Sequence, residues 1–372
     1  MRLAAPGSVA WSLAALTVTT RNGVTTASTV DDLASVMRDF HAIEPTADAA
    51  STLAFCFHGM IPILDWRGAV DLAERSLGRM HELFDAVALH EPAVLGWIDL
   101  AHAYREGPLL DDPWKGLKRA EAALAIFKAV GHRRGILLGQ AFVAVHLGLL
   151  GAAVEIDPAH RTAMVDLGPM MSLHAFFSAR FLAEEGALDE ARRVALRTIE
   201  AGRAMGYDLH VWRGRWALAE VLRRSGDLAG AAREAEAAIE AFAALPFNRT
   251  AARATLAAIR LAEGRTTEAL AESSRAMDEL EAMGGIGLSS TSVRLVHAEC
   301  LAADGDRARA SAAVAGARDR LLVIASTIDH AGYRRSFLEN VPENARTMAL
   351  AHAWLGPIDA TAAQAPALKA SG

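Results

Sequence analysis

The chain has 372 residues, 52% of them apolar, with 38 basic against 44 acidic side chains and a formal net charge of −6. That mild balance, with no single-sign block and an isoelectric point near 6.1, excludes the basic stripe that a phosphate backbone demands, so nucleic acid is not an expected partner. Strong helix formers carry most of the text, β-branched runs are scarce after Val30, and no apolar run reaches the roughly 18 residues that cross a bilayer, so the expectation is all-α with no membrane span.

In chain order, Met1–Val18 carries one basic residue, Arg2, ahead of an apolar stretch. Pro6 and Gly7 precede that stretch, which argues against a secretory leader. The preferred reading is the helix of a first repeat, with Trp11, Ala14 and Ala15 inward. Residues 19–30 read as a loose connection. Thr29 or Ser28 caps a helix entering at Asp31 and Asp32, where carboxylates suit the first turn. Glu44-Pro45-Thr46 is a break, followed by a helix over about 48–64, a turn at 65–69 and a helix to Phe84.

The segment Trp97-x-x-Leu100-Ala101-x-x-Tyr104 resembles the first helix of a tetratricopeptide repeat. Its four residues fall on one helical face, with small Ala101 where the partner helix must approach. Gly107–Pro113 reads as a longer turn, an insertion on one edge. Helices over 116–130 and 135–150 continue the pattern. Gly151–Asp157 is less regular, and Pro158 opens a helix that includes Ala163 and Leu167.

From Ser172 onward the text repeats. Gly186, Gly226, Gly264 and Gly305 recur at intervals of 40, 38 and 41 residues, each with an alanine seven residues earlier: Ala179, Ala219, Ala257 and Ala298. A fixed period near 40 with small residues at fixed places marks a solenoid of helix pairs. The pairs fall at about 172–185 with 188–204, 209–225 with 228–244, 248–263 with 266–283, and 289–303 with 306–328. Pro342–Trp354 reads as a helix covering the last repeat, because an uncapped solenoid end exposes apolar surface. The expected architecture is an all-α, right-handed α-solenoid of about seven to eight tetratricopeptide-like pairs with a C-terminal capping helix. Its divisions are a partial repeat and connection over 1–30, less regular repeats over 31–171, regular repeats over 172–330, a cap over 331–356 and a disordered tail over 357–372.

Several stretches near the end, among them Leu280–Ile286, Val293–Glu299, Ala317–Leu322 and Arg334–Arg346, resemble the end of a family of large bacterial signalling proteins. In that family a serine/threonine kinase domain and an ATPase module precede a long tetratricopeptide array. The enzymatic signatures are missing here: the sequence has no Gly-x-x-x-x-Gly-Lys-[Ser/Thr], His-Arg-Asp or Asp-Phe-Gly, so the phosphate loop and the kinase base do not carry over. The resemblance implies an array that docks or senses a partner, with a kinase or ATPase module as one candidate partner, in a bacterial cytoplasm.

Other candidate chemistry is sparse. His81-Glu82 and His90-Glu91 lack the second histidine of a zinc-protease helix, and Cys56 and His58 are two apart, on different helical faces. No metal and no cofactor are expected. Gly284-Gly285-Ile286-Gly287 reads as an inter-repeat connector ahead of an anion cradle. A bridge between Cys56 and Cys300 would have to fold the superhelix back on itself, so both are read as reduced core residues. The groove is the remaining candidate. In a tetratricopeptide pair the second, fifth, ninth and twelfth positions of the first helix face the concave side. This rule selects Arg213, Trp216, Glu220 and Arg223 in one pair, Phe176 and Arg180 in the preceding one, and His102 and Arg105 around Trp97. Trp216 flanked by arginines suits a peptide anchor, with Arg213 stacked on it as a cation–π partner. The functional expectation is a non-enzymatic scaffold or sensor array holding a protein or peptide in the groove; the alternative is a small-molecule-sensing module that controls a kinase or ATPase.

Overall fold

The period of the text becomes geometry most directly in the second half of the chain. The computed structural model describes residues 8–22, 28–85, 87–88, 90–152 and 172–356. Among the described residues there are seventeen α-helices and no strand. Four antiparallel pairs follow one another: α8 (Ser172–Glu184) with α9 (Leu188–Met205), α10 (Asp208–Ser225) with α11 (Leu228–Ala241), α12 (Pro246–Ala262) with α13 (Thr266–Ala282), and α14 (Ser290–Ala303) with α15 (Arg307–Thr327). The turn glycines Gly186, Gly226, Gly264 and Gly305 have φ of 84°, 87°, 75° and 91°. Glycine is needed there for the left-handed backbone and not for space, since a Cβ at any of the four would meet nothing within 4 Å. The residue after the glycine closes the helix end in three of the four turns, through Ala187 N to Leu182 O (2.8 Å), Arg265 N to Arg260 O (2.9 Å) and Asp306 N to Leu301 O (3.1 Å).

The small residues do what their spacing implied. Ala179, Ala219, Ala257 and Ala298 are all fully buried, and so are Ala191, Ala231, Ala269 and Ala310 on the partner helices. Alanine against alanine lets the two helices of a pair approach closely, and no larger side chain fits without forcing them apart.

The first part of the chain holds α1 (Val9–Asn22), α2 (Val30–His41), α3 (Ala47–Trp66), α4 (Val70–Phe84), α5 (Ala93–Tyr104), α6 (Pro113–Ala129) and α7 (Arg133–Leu149). Thr29 caps α2 in a capping box, its hydroxyl accepting from Asp32 N while the Asp32 carboxylate accepts from Thr29 N. The core here is aromatic: Trp97, Phe57, Phe84 and Phe127 are buried, with Trp97 and Phe127 centroids 4.7 Å apart. Trp11 and Ala15 of α1 belong to the same cluster. At the other end α16 (Ala331–Glu339) and α17 (Pro342–Leu355) follow the last pair, with α17 packed on α14 and α15 as the cap.

Three sequence expectations are corrected. First, the stretch 19–30 is not all connection: α1 continues to Asn22. Second, Gly107–Pro113 is not an edge insertion. α5 runs into a π-helical turn, Arg105–Leu109, whose five residues are all buried. The His146 ring packs closely against this turn; a Cβ on Gly107 would sit 2.3 Å from His146 Nε2. The expected irregular stretch at Gly151–Asp157 and the helix opened by Pro158 with Ala163 and Leu167 lie largely outside the described residues, as do Met1–Gly7 and the tail over 357–372.

Third, the superhelix does fold back on itself. Leu117 of α6 and Leu150 share one apolar cluster with Leu321, Ile324 and Ile328 of the α15 end and with Phe337 and Val341. Polar ties cross the same seam. Asp111 accepts from Ser290 Oγ (2.7 Å) and Arg320 Nη2 (3.2 Å), Asp329 accepts from Trp114 Nε1 (3.2 Å), and Gly151 O accepts from Ser336 Oγ (2.6 Å). A second return contact joins α3 to the α10–α12 wall, where Arg213 lies 4.1 Å over the Trp66 ring and Pro246 sits beside Gly68. Cys56 and Cys300 are both free and buried, but the reason is their separate places in the core, not an open superhelix.

Candidate functional site: the bore of the superhelix

The first helices of the four regular pairs line the inner wall of the superhelix, and the cap helix closes one side of it. Between them lies a cavity of about 230 Å³ walled by residues of α8, α10, α12, α14 and α17, with Ser289 at the α14 cap. Its apolar part is the Phe176 and Trp216 ring pair, stacked at 22° with centroids 3.8 Å apart, together with Ala251, Ala254, Ala258, Leu295 and Val296. Trp216 is held from behind by a relay: its Nε1 donates to Thr255 Oγ1 (2.9 Å), Thr255 donates to Glu220 Oε1 (2.6 Å), and Glu220 Oε2 takes Arg223 Nη2 (3.1 Å). The ring is therefore fixed in orientation before any ligand arrives, which lowers the ordering cost of binding.

The polar part is a chain of ion pairs. Arg180 of α8 pairs with Glu184 through Nε (2.8 Å) and with Glu343 of α17 through Nη2. Arg224 reaches Glu184 at 3.6 Å, and Arg346 pairs with Glu299 at 2.9 Å. Burial works against the Arg180 charge, yet Glu343 and Glu184 more than offset it, and its pKa is raised. Burial likewise opposes ionisation of Glu343, but Arg180 holds its carboxyl below the ordinary value. Glu184 is pushed up, by burial first and then by the charge of Glu343. Two carboxylates thus share one enclosed guanidinium, and only one of them, Glu184, belongs to the same helix.

Five of the eight residues singled out from sequence meet in this cavity: Phe176, Arg180, Trp216, Glu220 and Arg223. The other three lie elsewhere. Arg213 is fully buried, with Nε donating to Asn248 Oδ1 (3.1 Å) and its guanidinium over Trp66; the expected stack on Trp216 is replaced by one on the ring that the back-folded α3 supplies. Arg105 is buried in the π-turn against Asp65 (3.1 Å), and His102 stands beside it with Nε2 2.9 Å from His81 Nε2. Burial pushes the Asp65 carboxyl up to about 7 and His102 down to about 4.

Sequence reasoning missed Ala251, Ala254 and Ala258 of α12 and Ser292, Leu295 and Glu299 of α14. These occupy the same second, fifth and ninth positions in the pairs that end at Gly264 and Gly305, so the signal was present. Glu343 and Arg346 had no such signal, because α17 stands outside the repeat. Among the described residues no helix is long and apolar enough to cross a membrane, and no group of three or more His, Cys, Asp or Glu is placed to hold a metal ion.

No family model and no curated protein matches the sequence. Solved structures do match. A Rap protein complexed with Competence and Sporulation Factor superposes with a TM-score of 0.54 at 14% identity, over 93% of this chain and 97% of that one. The likeness is one of fold. The chain is a helical-repeat solenoid, as that structure is. The apo form of RapI superposes more loosely, with a TM-score of 0.42 at 10% identity over 92% of this chain and 97% of that one.

Proposed function

We propose that the protein is a non-enzymatic tetratricopeptide-like docking and sensor array, and that it takes a peptide or a protein segment into the bore of its superhelix. The observation that carries this reading is the convergence of Phe176, Arg180, Trp216, Glu220 and Arg223 on one walled cavity with a fixed aromatic floor and charged rim. The charged groups there are engaged with one another in salt links, Arg180 with Glu184 and Glu343 and Arg223 with Glu220, and the Thr255 hydroxyl is tied between the Trp216 ring and Glu220. A solved structure of the same fold, at low identity, is a complex with Competence and Sporulation Factor, which favours a binding role for such a bore. The setting we infer is bacterial signalling in the cytoplasm, with a kinase or ATPase module as the partner that reads the array, as the sequence resemblance implies.

The test is a blocked cavity. Ala258 lines the wall of the bore, and Ala258→Phe fills the space without touching a charge. Titration of the purified chain with a pool of short peptides is expected to show binding that this variant loses at unchanged melting temperature. Undiminished binding by the blocked variant would overturn the reading. The modest cavity volume, about 230 Å³, favours one alternative, a small-molecule effector; thermal stabilisation by a metabolite, absent with peptides, selects it.

A further inference from the structure

We propose that the groove between α2 and α4 is a second binding site, outside the bore, and that it takes a phosphorylated small molecule of nucleotide size.

Helical spacing builds the groove. Ala34, Arg38 and His41 follow one another on α2 at steps of four and three, which is one face of a helix. Leu72, Arg75, Arg79 and Glu82 do the same on α4, at steps of three, four and three. The two stripes border one open space of about 630 Å³. That lies within the roughly 300–1,000 Å³ of ordinary ligand pockets and exceeds what a single inorganic ion fills.

The charge of the groove is one-sided. Three arginines and one carboxylate line it, in a chain whose net charge is −6. In the regular half arginines are engaged by acids; Arg180, Arg215, Arg253 and Arg260 each pair with a glutamate. Arg38 and Arg75 are exposed and have no acidic partner among the described residues. The third, Arg79, is already held in place. Its Nε donates to His41 O (3.0 Å) and its Nη1 to Glu82 Oε2 (3.0 Å), so it ties the two walls together. The His41 ring registers the resulting field. It lies against Phe57, nearly parallel at 2°, with Nε2 3.1 Å from Ser76 Oγ. Burial first, and then the charges of Arg79 and Arg75, hold its pKa below the ordinary value, with Glu82 opposing. A space that repels a proton attracts an anion. The fixed basic groups are all guanidinium forks, which match phosphate oxygens two at a time.

Gly78 is an independent sign of a ligand. Glycine inside a helix weakens it, so a mid-helix glycine calls for a reason. At Gly96, Gly135 and Gly148 the reason is a neighbouring ring that a Cβ would strike. Gly78 stands within α4 on the groove, and a Cβ there meets nothing within 4 Å. Packing within the chain does not ask for that glycine; an occupant of the groove does. Ala34 and Leu72 offer the same occupant an apolar surface, and Glu82 offers an acceptor for its hydroxyl or amino groups.

The experiment uses the full chain in magnesium-free buffer. Calorimetry reads the binding of inorganic phosphate, pyrophosphate, nucleoside mono-, di- and triphosphates and a phosphoserine peptide. The variants are Arg38→Gln/Arg75→Gln, Gly78→Leu and the bore-blocking Ala258→Phe. Nucleoside diphosphates are expected to bind about tenfold or more tighter than inorganic phosphate, and tighter than pyrophosphate, with affinity falling as salt is added. The double arginine variant is expected to lose about tenfold or more at an unchanged melting temperature, since both side chains are exposed and unpaired. Gly78→Leu is expected to melt no lower than the wild type and to bind about tenfold more weakly, a division that a merely structural glycine would not produce. Ala258→Phe is expected to bind as the wild type does. Absence of binding by every phosphorylated compound, or full affinity in the double arginine variant, overturns the proposal and leaves the docking function standing. Loss of nucleotide binding in Ala258→Phe moves the ligand to the bore and overturns the second site. Pyrophosphate bound as tightly as the nucleotides overturns the assignment of size, and binding of the phosphoserine peptide alone overturns the assignment to a small molecule.

Discussion

The four regular pairs after Ser172 and the part of the chain before Gly151 solve the same packing problem with different materials. In the regular half, alanines meet at each helix crossing, and rings such as Phe176, Trp216 and Phe242 are buried away from those crossings. In the first part, single large rings fill the interior: Trp97 touches Phe55, His58, Phe127 and His132. Both halves bury titratable groups, His58, Asp65, Arg105, Glu106 and His146 in the first part and His174, His210 and Arg213 in the second. A repeat can be extended indefinitely because each pair needs only its neighbour. The first part must also meet the far end of the array. Its α6 and the end of α7 present a face to that end, and one-off side chains make the face specific. Regularity builds the bore, and irregularity closes it.

That contrast can be broken most severely at Trp97. Trp97→Ala removes the ring around which the first part packs, and the expected loss is about 3–5 kcal/mol of unfolding free energy, measured by urea denaturation. In the regular half the sensitive change runs the other way. Ala219→Leu overfills a crossing and costs about 1–3 kcal/mol, whereas a large-to-small change has nothing to remove there. Were the two substitutions to cost the same, the distinction between ring-filled and alanine-crossed packing would fail.

The seam is the next test. Asp111 has φ of 60°, a left-handed backbone for a residue with a side chain, and Ser289 beside its partner Ser290 has φ of 59°. These are the positive-φ residues other than glycine among the described residues, and they face each other where the superhelix closes. Such local strain persists only where the surroundings hold it. Asp111→Ala leaves Arg320 and Ser290 without their acceptor, at an expected cost of about 1–3 kcal/mol. Small-angle scattering is expected to show a more open particle, with faster amide exchange in α6 and α16. Unchanged dimensions would mean that the apolar contacts of Leu117, Leu150, Leu321 and Ile324 hold the seam alone.

The smallest effect is in the response to pH. Burial raises Asp65 from 3.8 to about 7, so between these values the folded chain keeps a proton that the unfolded chain has lost. Its contribution is present below about pH 3.8 and is lost as pH rises through 7. His58 works in the opposite sense. Burial pushes it from 6.5 to about 3, and its contribution is lost as pH falls below 6.5, where the unfolded chain takes up a proton. The two offset each other between about pH 4 and 6.5. Asp65→Asn removes one side of that balance, and its urea midpoint is expected to fall more steeply from pH 6.5 to 5 than that of the wild type. Parallel curves would show that Arg105 keeps Asp65 charged throughout.

Much of this was legible in the sequence wherever a residue's neighbours are near it along the chain. The turn glycines, the crossing alanines, the Thr29 cap and the helix pairs follow from local spacing. So do the inward positions of Phe176, Arg180, Trp216, Glu220 and Arg223, and the same spacing, applied to the pairs ending at Gly264 and Gly305, reaches Ala258, Leu295 and Glu299. Arg213 shows where local reasoning stops. Its helical position is inward, but the ring it covers, Trp66, comes from α3. The same is true of Arg105, whose π-turn answers to His146 and Asp65 and not to the repeat.

The sequence by itself determined the helices, their pairing and the wall of the bore, because backbone hydrogen bonds, the left-handed turns and the amphipathic faces act over one or two turns of helix. Only the tertiary structure decided that the array closes, which rings and carboxylates meet across the seam, and that Glu343 lies on Arg180. Closure sums small rotations over many repeats and then depends on contacts between residues more than a hundred positions apart, and no window of the sequence contains both sides of such a contact.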